Sequence, residues 1–341
     1  MNPGKIEDRS IKPLISVLIP AYNCAQYLAA TIESVLAQSC ADFELIVVDN
    51  NSADETLAVV SRYSDPRLYY VKYKETVPMG ENWDRCLSLA AGKYVCLLHA
   101  DDQFQPRCLE VESQIMEADP AIGYVYSAVN FIDEKQAVLQ RHSPFPESYV
   151  RPGREEFRQS ILGNYVFCPS VMVRRECYSR VGGFKPGLKC ALDWDMWLRL
   201  DLASGKVGYS AELLAAYRVH AGSFSASSSI IGTPAASEEW YQVIRDNLTS
   251  PDFLGAYPKS QAREITDKAL LRYFLRCLKL IFKTYWPRGE KANLWRTVRF
   301  LLSDKLWGRD FRLSWRSVLL APQLMMSRSR GGDNRIRPIP S

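Results

Sequence analysis

Apolar and polar positions alternate in blocks along the first part of the chain. Leu14-Ile15-Ser16-Val17-Leu18-Ile19-Pro20 is a short apolar run closed by proline, which predicts a buried strand. Beyond the turn Ala21-Tyr22-Asn23, apolar residues Leu28, Ile32, Val35 and Leu36 recur at helical spacing and predict a helix from about Ala25 to Gln38. Phe43 to Val48 reads as a second strand ending at Asp49-Asn50-Asn51-Ser52, and Ser52 with Glu55 three residues later reads as a capping box for a helix to about Tyr63. Leu68 to Val71 is a third strand, and Glu81 to Ala90 is a helix with Trp83, Cys86, Leu87 and Ala90 on one face. Gly92 to Cys96 then leads into a fourth strand that ends at Leu97-Leu98-His99-Ala100-Asp101-Asp102. Repeated strand–helix alternation predicts an α/β fold with a mostly parallel sheet flanked by helices on both faces.

The second half is less regular. A helix is expected from Pro106 to about Ala118, and a strand from Ile122 to Phe131 with Tyr124 and Tyr126 on one face. His142 to Pro152 is turn-rich and reads as loop, followed by a helix from Arg154 to Leu162 and a strand from Phe167 to Val173. A short helix from Glu176 to Val181 is broken by Gly182-Gly183-Phe184, Leu192 to Ala203 is a helix carrying Asp193, Asp195 and Arg199, and Leu213 to Val219 is a strand ending at His220. The small-residue stretches Ser223 to Ser229 and Gly232-Thr233-Pro234 read as a loop or linker. From about Ala236 the texture changes to long helical patterns over 258–285, 291–304 and 312–326, without strands. The organisation expected is a polar segment over 1–13, an α/β domain over 14–235 with halves at about 14–105 and 106–235, a helical region over 236–326, and a disordered tail over 327–341.

Charge sharpens that division. Residues 255–341 hold 19 basic against 6 acidic side chains, a net of +13, although the whole chain carries only +5. The rest is therefore an acidic body joined to a basic segment suited to an anionic partner. Phe274, Trp286, Trp295, Trp307 and Trp315 interleave with the basic residues at helical spacing, which favours amphipathic helices at an anionic membrane surface over nucleic-acid binding. A helical subdomain packed on the body is the structural alternative. No apolar stretch reaches the ~18 residues a spanning helix needs, and Met1 to Pro13 lacks the apolar stretch of a signal peptide. Nine cysteines occur without a CxxC pair, so reduced thiols are expected. The expected location is cytoplasmic, peripheral at the inner face of the cell membrane.

Chemistry concentrates at Asp101-Asp102. Two adjacent carboxylates at the end of a buried strand repel each other and need a counter-ion. A hard cation with oxygen ligands meets that need, and a magnesium-type ion uses one or two protein carboxylates plus substrate phosphates. Strand ends are also where open α/β sheets bind ligands. A solvated Asp-Asp turn before the next helix is the alternative.

Several motifs fall in order: Ile15 to Asn23, Val47 to Ser52, Asn82 to Ala91, Leu97 to Asp102, Gly182 to Phe184 with Asp193-Trp194-Asp195, and Tyr217-Arg218-Val219-His220. Together, over about residues 13–225, they resemble the family-2 glycosyltransferases with the GT-A fold. The resemblance implies a Rossmann-like sheet and inverting transfer of a sugar from a nucleotide-diphosphate donor, UDP- or dTDP-linked, to a glycan or polyprenyl-linked acceptor in cell-surface polysaccharide synthesis. It implies Mg2+ or Mn2+ as cofactor, bridging the donor phosphates as a Lewis acid. Asp102 and His220 are then the metal-site residues, His220 near the metal and diphosphate, and Asp101 binds the ribose or supports the metal. Pro20, Ala21, Tyr22 and Asn23, with Asp49 and Asn50, are implied to hold the nucleobase. Asp193 is implied as the base that deprotonates the acceptor hydroxyl; capping its helix is the structural alternative. Three departures stand out: His99 where the family often has Asp, Asn50 where many relatives have a second Asp, and Leu192 where a Glu is usual. Asp195 and Arg199 have the spacing of a pair across one helical turn, and Arg85 is either a nucleotide contact or a solvated helix residue. A catalytically inactive sugar-nucleotide-binding or scaffold protein of the same fold is the competing functional reading.

Overall fold

The computed structural model describes residues 12–223, 233–282 and 287–301. The expectations for residues 1–11, for the small-residue stretch after Ser223, for Trp286, Trp307 and Trp315, and for the 312–326 helix and the tail lie outside the described residues. The chain divides into two compact units, Met1–Ile231 and Gly232–Ser341.

The first unit opens with β1 (Ile15–Ala21), α1 (Ala25–Leu36), β2 (Phe43–Asp49), α2 (Thr56–Val60), β3 (Leu68–Lys72), α3 (Met79–Leu89) and β4 (Tyr94–Leu97). These four strands are parallel in the order β3-β2-β1-β4, with Ile15 opposite both Phe43 and Tyr94. Residues of β1 other than Pro20, and all of β2, are buried, so continuous apolar runs form where both sheet faces are covered.

The unit continues with β5 (Gln103–Phe104), α4 (Cys108–Ala118), β6 (Ile122–Ile132), β7 (Val138–His142), β8 (Tyr149–Pro152), α5 (Gly153–Ser160), β9 (Val171–Arg174), α6 (Arg175–Val181), α7 (Leu192–Ala203) and β10 (Lys206–Arg218). The sheet extends β4-β9-β6-β10-β5, with β7 on β6 and β8 on β10. Strand β9 runs antiparallel to both β4 and β6, and β10 runs parallel to β6. One reversed strand therefore leaves β4, β6 and β10 pointing the same way, and the carboxyl ends of β1, β2, β4, β6 and β10 share one edge. That edge carries the site.

Four local details differ from the sequence reading. The capping box at Ser52 does not form: α2 begins at Thr56, and the Ser52 hydroxyl instead accepts the Asn23 N–H at 2.9 Å. The turn-rich 142–152 stretch contains β8, because backbone pairing to β10 overrides weak apolar patterning. The expected strand at 213–219 is the end of a 13-residue strand whose register shifts between Ser210 and Leu213, and that irregularity hides its first half from a periodicity argument. The helix expected from Pro106 starts at Cys108.

The second unit contains α8 (Pro234–Leu248), α9 (Pro251–Ala256), α10 (Lys259–Leu280) and α11 (Lys291–Leu301). Thr233 caps α8 by accepting the Ala236 N–H, and Pro234 occupies the first turn, where its missing donor costs nothing. Helix α10 meets α8 through the Tyr273 hydroxyl, which donates to Ser237 O at 2.9 Å, and through Arg276 stacked 3.5 Å over the Trp240 ring. Arg296 of α11 pairs with Glu238 at 2.9 Å. Among the described residues no helix is long and apolar enough to cross a membrane.

At the edge opposite the site, a buried polar knot fixes β1, β2 and β4. Glu44 accepts from the Ser16 hydroxyl at 2.5 Å and from the Ala91 N–H at 3.0 Å, and Ser16 Oγ accepts the Gly92 N–H at 2.8 Å. This knot requires glycine at 92, since a Cβ there would lie 2.6 Å from Ser16 N and 2.8 Å from Ile15 C, both backbone atoms. Gly92→Ala should therefore cost about 1–3 kcal/mol as overpacking. Gly255→Ala in α9, where a Cβ meets nothing within 4 Å, should be neutral or stabilise by up to about 1 kcal/mol. Urea midpoints test the pair, and equal midpoints for both variants would refute the packing account.

Candidate active site

The site begins where β4 stops. Leu98 N–H still bonds Leu18 O at 2.9 Å, and the chain then turns, with Asp102 N–H donating to His99 O at 3.1 Å. From α1, the Thr31 hydroxyl donates to Ala100 O at 2.9 Å and pins the turn. From β10, the Arg218 N–H donates to Asp102 Oδ1 at 2.8 Å, and its guanidinium donates to Asp101 O at 2.8 Å and Asp133 O at 2.7 Å. Arg218 is 2% exposed and lies 5.0 Å over the Tyr27 ring. A fully buried arginine thus spends its fork on backbone carbonyls and ties the ends of β4, β6 and β10 into one surface.

His99, Asp101 and Asp102 offer ligand atoms that all lie within 4.8 Å of one another. Asp102 is 1% exposed; its Oδ2 has no hydrogen-bond partner and lies 3.6 Å from His99 Nδ1. Asp101 Oδ2 meets His220 Nε2 at 3.1 Å, while His220 Nδ1 accepts the Gly222 N–H at 3.2 Å. The His99 ring stacks on Trp83 at 5.0 Å, and Phe184 packs edge-on to Trp83 at 4.9 Å. Burial, then the charge of Asp101, pushes the Asp102 carboxyl well above its ordinary range, against the Arg218 N–H and charge. Burial pushes Asp101 up as well, but the His220 hydrogen bond and the positive side of His99 outweigh it, and the net shift is downward. A buried, uncommitted carboxylate oxygen beside a second carboxylate suits a divalent cation, so the residues present fit the metal that the resemblance implies.

The turns implied to hold a nucleobase lie along the same edge. Asn50 N–H bonds Ala21 O at 2.9 Å and so joins the ends of β2 and β1. Asn23, at φ 49°, accepts the Ala53 N–H at 2.9 Å. Asp49 is fully buried; one oxygen accepts the Ser52 N–H at 2.7 Å and the other accepts the Tyr70 hydroxyl. Asn50 is engaged on both sides, accepting from Val77 N–H at 3.0 Å and Arg85 at 3.1 Å and donating to Val77 O at 2.8 Å. Arg85 is thereby a loop anchor. Tyr22, 54% exposed, is the open aromatic of this group, beside the partly buried Pro20 and buried Ala21. Burial pushes the Cys24 thiol up to about 12, and the charges of Asp54 and Asp101 add to the shift.

Asp193 lies in the first turn of α7, whose capping position is Ala191. Its Oδ2 accepts from Asn164 Nδ2 at 3.0 Å and its Oδ1 from Trp194 N–H at 2.7 Å. Burial, then the charges of Asp193 and Asp102, raises the buried Cys168 thiol. Asp195 is instead fully buried between Arg199 at 2.8 Å and Lys185 at 2.9 Å, and Arg199 also donates to Val181 O and Gly183 O. Asp195 is the anchor of the Gly182-Gly183-Phe184 loop. The sequence reading missed Arg218, Tyr27, Thr31 and Asn164 as parts of the site, and saw Trp83 only as a helix face. A buried-strand arginine with no acid near it in sequence was the available signal.

An unpaired buried carboxylate has a stability signature. The folded value of Asp102 is raised, so the folded state holds a proton that the unfolded state releases, and stability falls as pH rises from the unfolded carboxylate range through the folded value. In metal-free protein Asp102→Asn removes that penalty. Its melting temperature should exceed the parent's by about 2 °C or more at about pH 8, and the gap should narrow toward about pH 5. A pH-independent gap would contradict an ionising, unpartnered Asp102.

Known proteins match the sequence and the fold. The sequence profile described as Glycosyl transferase family 2 matches residues 16–182. TuaG of Bacillus subtilis, provisionally named a teichuronic acid biosynthesis glycosyltransferase, is 29% identical over 233 residues, covering 67% of this chain and 87% of that protein. The chain spans about two thirds of the first curated relatives it matches, 71%, 63% and 65% of their lengths. Among solved structures, TarS residues 1–349 of Staphylococcus aureus, in complex with UDP-GlcNAc, superposes with a TM-score of 0.69 at 18% identity, covering 92% of this chain and 87% of that one. The mannosyltransferase PcManGT of Pyrobaculum calidifontis, in complex with GDP-Man and Mn2+, gives a TM-score of 0.54 at 17% identity over 96% of this chain and 86% of that one. Profile, relatives and fold agree that residues 16–182 form a glycosyl transferase family 2 domain with the GT-A fold.

Proposed function

We propose that the protein is an inverting, metal-dependent hexosyl- or deoxyhexosyltransferase that moves a sugar from a UDP- or dTDP-sugar to a glycan or polyprenyl-linked acceptor in cell-surface polysaccharide synthesis. The observation that carries this reading is the buried, uncommitted Asp102 oxygen beside Asp101 at the shared carboxyl edge of β1, β4 and β10. In this reading the nucleobase lies against the exposed Tyr22 ring, on a floor of Pro20, Ala21 and Asn23 whose shape Asp49 and Asn50 hold. Asp102 would hold Mg2+ or Mn2+, and Asp101 and His220 line the same side. The bound cation supplies Lewis-acid stabilisation of the charge that grows on the departing diphosphate.

Asp193 takes the proton of the acceptor hydroxyl as that oxygen bonds to the anomeric carbon. The bond from that carbon to the diphosphate oxygen breaks on the opposite face, and nucleoside diphosphate leaves. Asn164 keeps the carboxylate aimed from the wall of the acceptor half, which we place at about residues 106–235, with the donor half at about 14–105. The basic helical region is proposed to rest on an anionic membrane surface at the cytoplasmic face, where lipid-linked acceptors are found. Trp295 and Phe282, each 66% exposed, support that contact.

The defining test is a panel of nucleotide diphosphates and their sugars, with Mn2+, read by thermal shift and by released nucleotide. Stabilisation by uridine or thymidine diphosphate together with donor turnover supports the reading; no stabilisation by any member refutes it, and binding without turnover points to an inactive relative. Asp193→Asn keeps an acceptor for Asn164 and should leave melting temperature and donor affinity nearly unchanged while lowering kcat by about 10²–10⁴. Turnover within about threefold of the parent, with chemistry rate-limiting, would remove Asp193 from the base role.

Membrane contact has its own check. Each basic residue near an anionic surface contributes about 1 kcal/mol and is screened by salt. Sedimentation with phosphatidylglycerol vesicles should fall steeply between about 0.05 and 0.5 M salt and should weaken in Trp295→Ser. Binding unaffected by either change would rule out this surface.

A further inference from the structure

Two histidines stand at the cation site, and they are not equivalent. His220 has both nitrogens in use, Nε2 on Asp101 at 3.1 Å and Nδ1 on the Gly222 N–H at 3.2 Å. His99 has neither in use: Nδ1 lies 3.6 Å from Asp102 Oδ2, too far for an ordinary hydrogen bond, and Nε2 is buried without a partner. The ring is also held. Trp83 stacks on it at an interplanar angle of 26°, Phe184 packs edge-on to Trp83, and the Phe184 N–H is itself bound by Asp84 at 2.9 Å. The side chain as a whole is a quarter exposed, but a buried ring nitrogen with no hydrogen bond is costly unless something else completes it. The atom across from it, Asp102 Oδ2, has the same deficit. Two adjacent ligands at about 2.1 Å from one octahedral ion lie about 3 Å apart, so a separation of 3.6 Å needs only a small closure to share a cation.

The geometry points to His99 as a nitrogen ligand to the cation proposed above, converting an all-oxygen site into a mixed one. This inference rests on the metal-site reading of Asp102 and extends it to metal choice. Imidazole suits the later transition cations, whereas carboxylate, carbonyl and water suit Mg2+, Ca2+ and Mn2+. His99 thus biases this chain toward Co2+ and away from Mg2+, with Mn2+ between them.

The test is metal binding by the full-length, metal-free protein, titrated calorimetrically with Mn2+, Co2+ and Mg2+ and independent of turnover. His99→Phe keeps the ring stacked on Trp83 and removes both nitrogens; His99→Asp supplies oxygen instead and serves if the Phe variant folds poorly. The parent should bind Co2+ at least about tenfold more tightly than Mg2+, and both variants should lower that ratio about tenfold or more, a loss comparable to that of a supporting ligand contact. Nitrogen modulation in the pulsed EPR of the Mn2+-loaded protein should disappear in His99→Phe and survive in His220→Phe. A Co2+ to Mg2+ ratio within about twofold of the parent in the folded His99 variants, or a nitrogen signal that survives in His99→Phe, overturns the inference. Asp102→Asn separates the two levels: if it abolishes divalent binding while the His99 variants keep the parental ratio, only His99 is wrong. If Asp102→Asn binds cations as the parent does, the metal-site reading fails and this inference with it.

Discussion

Burial of a carboxylate without a partner for both of its oxygens is the constraint around which the first unit is arranged. Asp102 is 1% exposed, and only its Oδ1 is served, by the Arg218 N–H. Such a group is expensive in a low-dielectric setting, and folding tolerates it only if the surrounding structure over-determines its position. Each feature nearby does that work on a backbone atom: Thr31 holds Ala100 O, Arg218 holds Asp101 O, and Leu98 N–H holds β1. The side-chain oxygen left over faces His99, whose nitrogens are also uncommitted. Fixing the main chain while leaving ligand atoms free is how a rigid sheet edge becomes a receptor for charge.

Arg218 explains how an edge assembled from strands far apart in sequence stays in register. Burying a guanidinium beside two acids would ordinarily produce a salt bridge that neutralises one of them. Here the fork is turned onto carbonyls of Asp101, Asp133 and Glu134, so the guanidinium takes up no carboxylate oxygen of the pair while its donors are still satisfied. Because Asp133 follows β6 and Arg218 ends β10, this one side chain carries the geometry of the second half into the turn after β4. The reversed strand β9 makes that possible, since it is the antiparallel step that brings β6 and β10 into the same direction as β4.

How much of this was legible in the sequence follows from what each element depends on. Strands β1 to β4 and their helices were readable because buried parallel strands and amphipathic helices write their periodicity locally. The Asp101-Asp102 turn was readable for a related reason: two acids closing an apolar run are a local anomaly. Strand β8 and the first half of β10 were not readable, since Tyr149–Pro152 and Lys206–Ser210 become strands by pairing with each other. The capping box at Ser52 looked complete in sequence, but the hydroxyl is claimed by Asn23 from 29 residues away, and no local rule anticipates that competition. Asp193 and Asp195 show the same limit at the level of roles. Two acids two residues apart on one helix end differently, one half-buried against Asn164 and one sealed between Lys185 and Arg199. Only their neighbours separate them: Lys185 after the Gly182-Gly183-Phe184 loop and Arg199 one turn along α7 for Asp195, and Asn164 after α5 for Asp193.

The uncommitted groups also imply a coupling between stability and ligand. Asp102 and His99 contribute desolvated polar atoms that nothing in the chain completes. A ligand that binds the folded state alone stabilises it by about 2.7 kcal/mol at a hundredfold excess over its dissociation constant. At this site the gain has a structural route: a ligand on Asp102 Oδ2 would complete an atom that the chain leaves without a partner, beside the Asp101–His220 contact. From His220 the connection continues to the Tyr27 ring at 4.5 Å, on α1, and from His99 through Trp83 to Phe184. The helix that follows the Tyr22–Asn23 turn and the loop that precedes Asp193 therefore both rest on groups that change when charge enters the site. Helix α1 and the Gly182-Gly183-Phe184 loop are thus tied to the same few atoms, so filling the proposed cation site would bear on both.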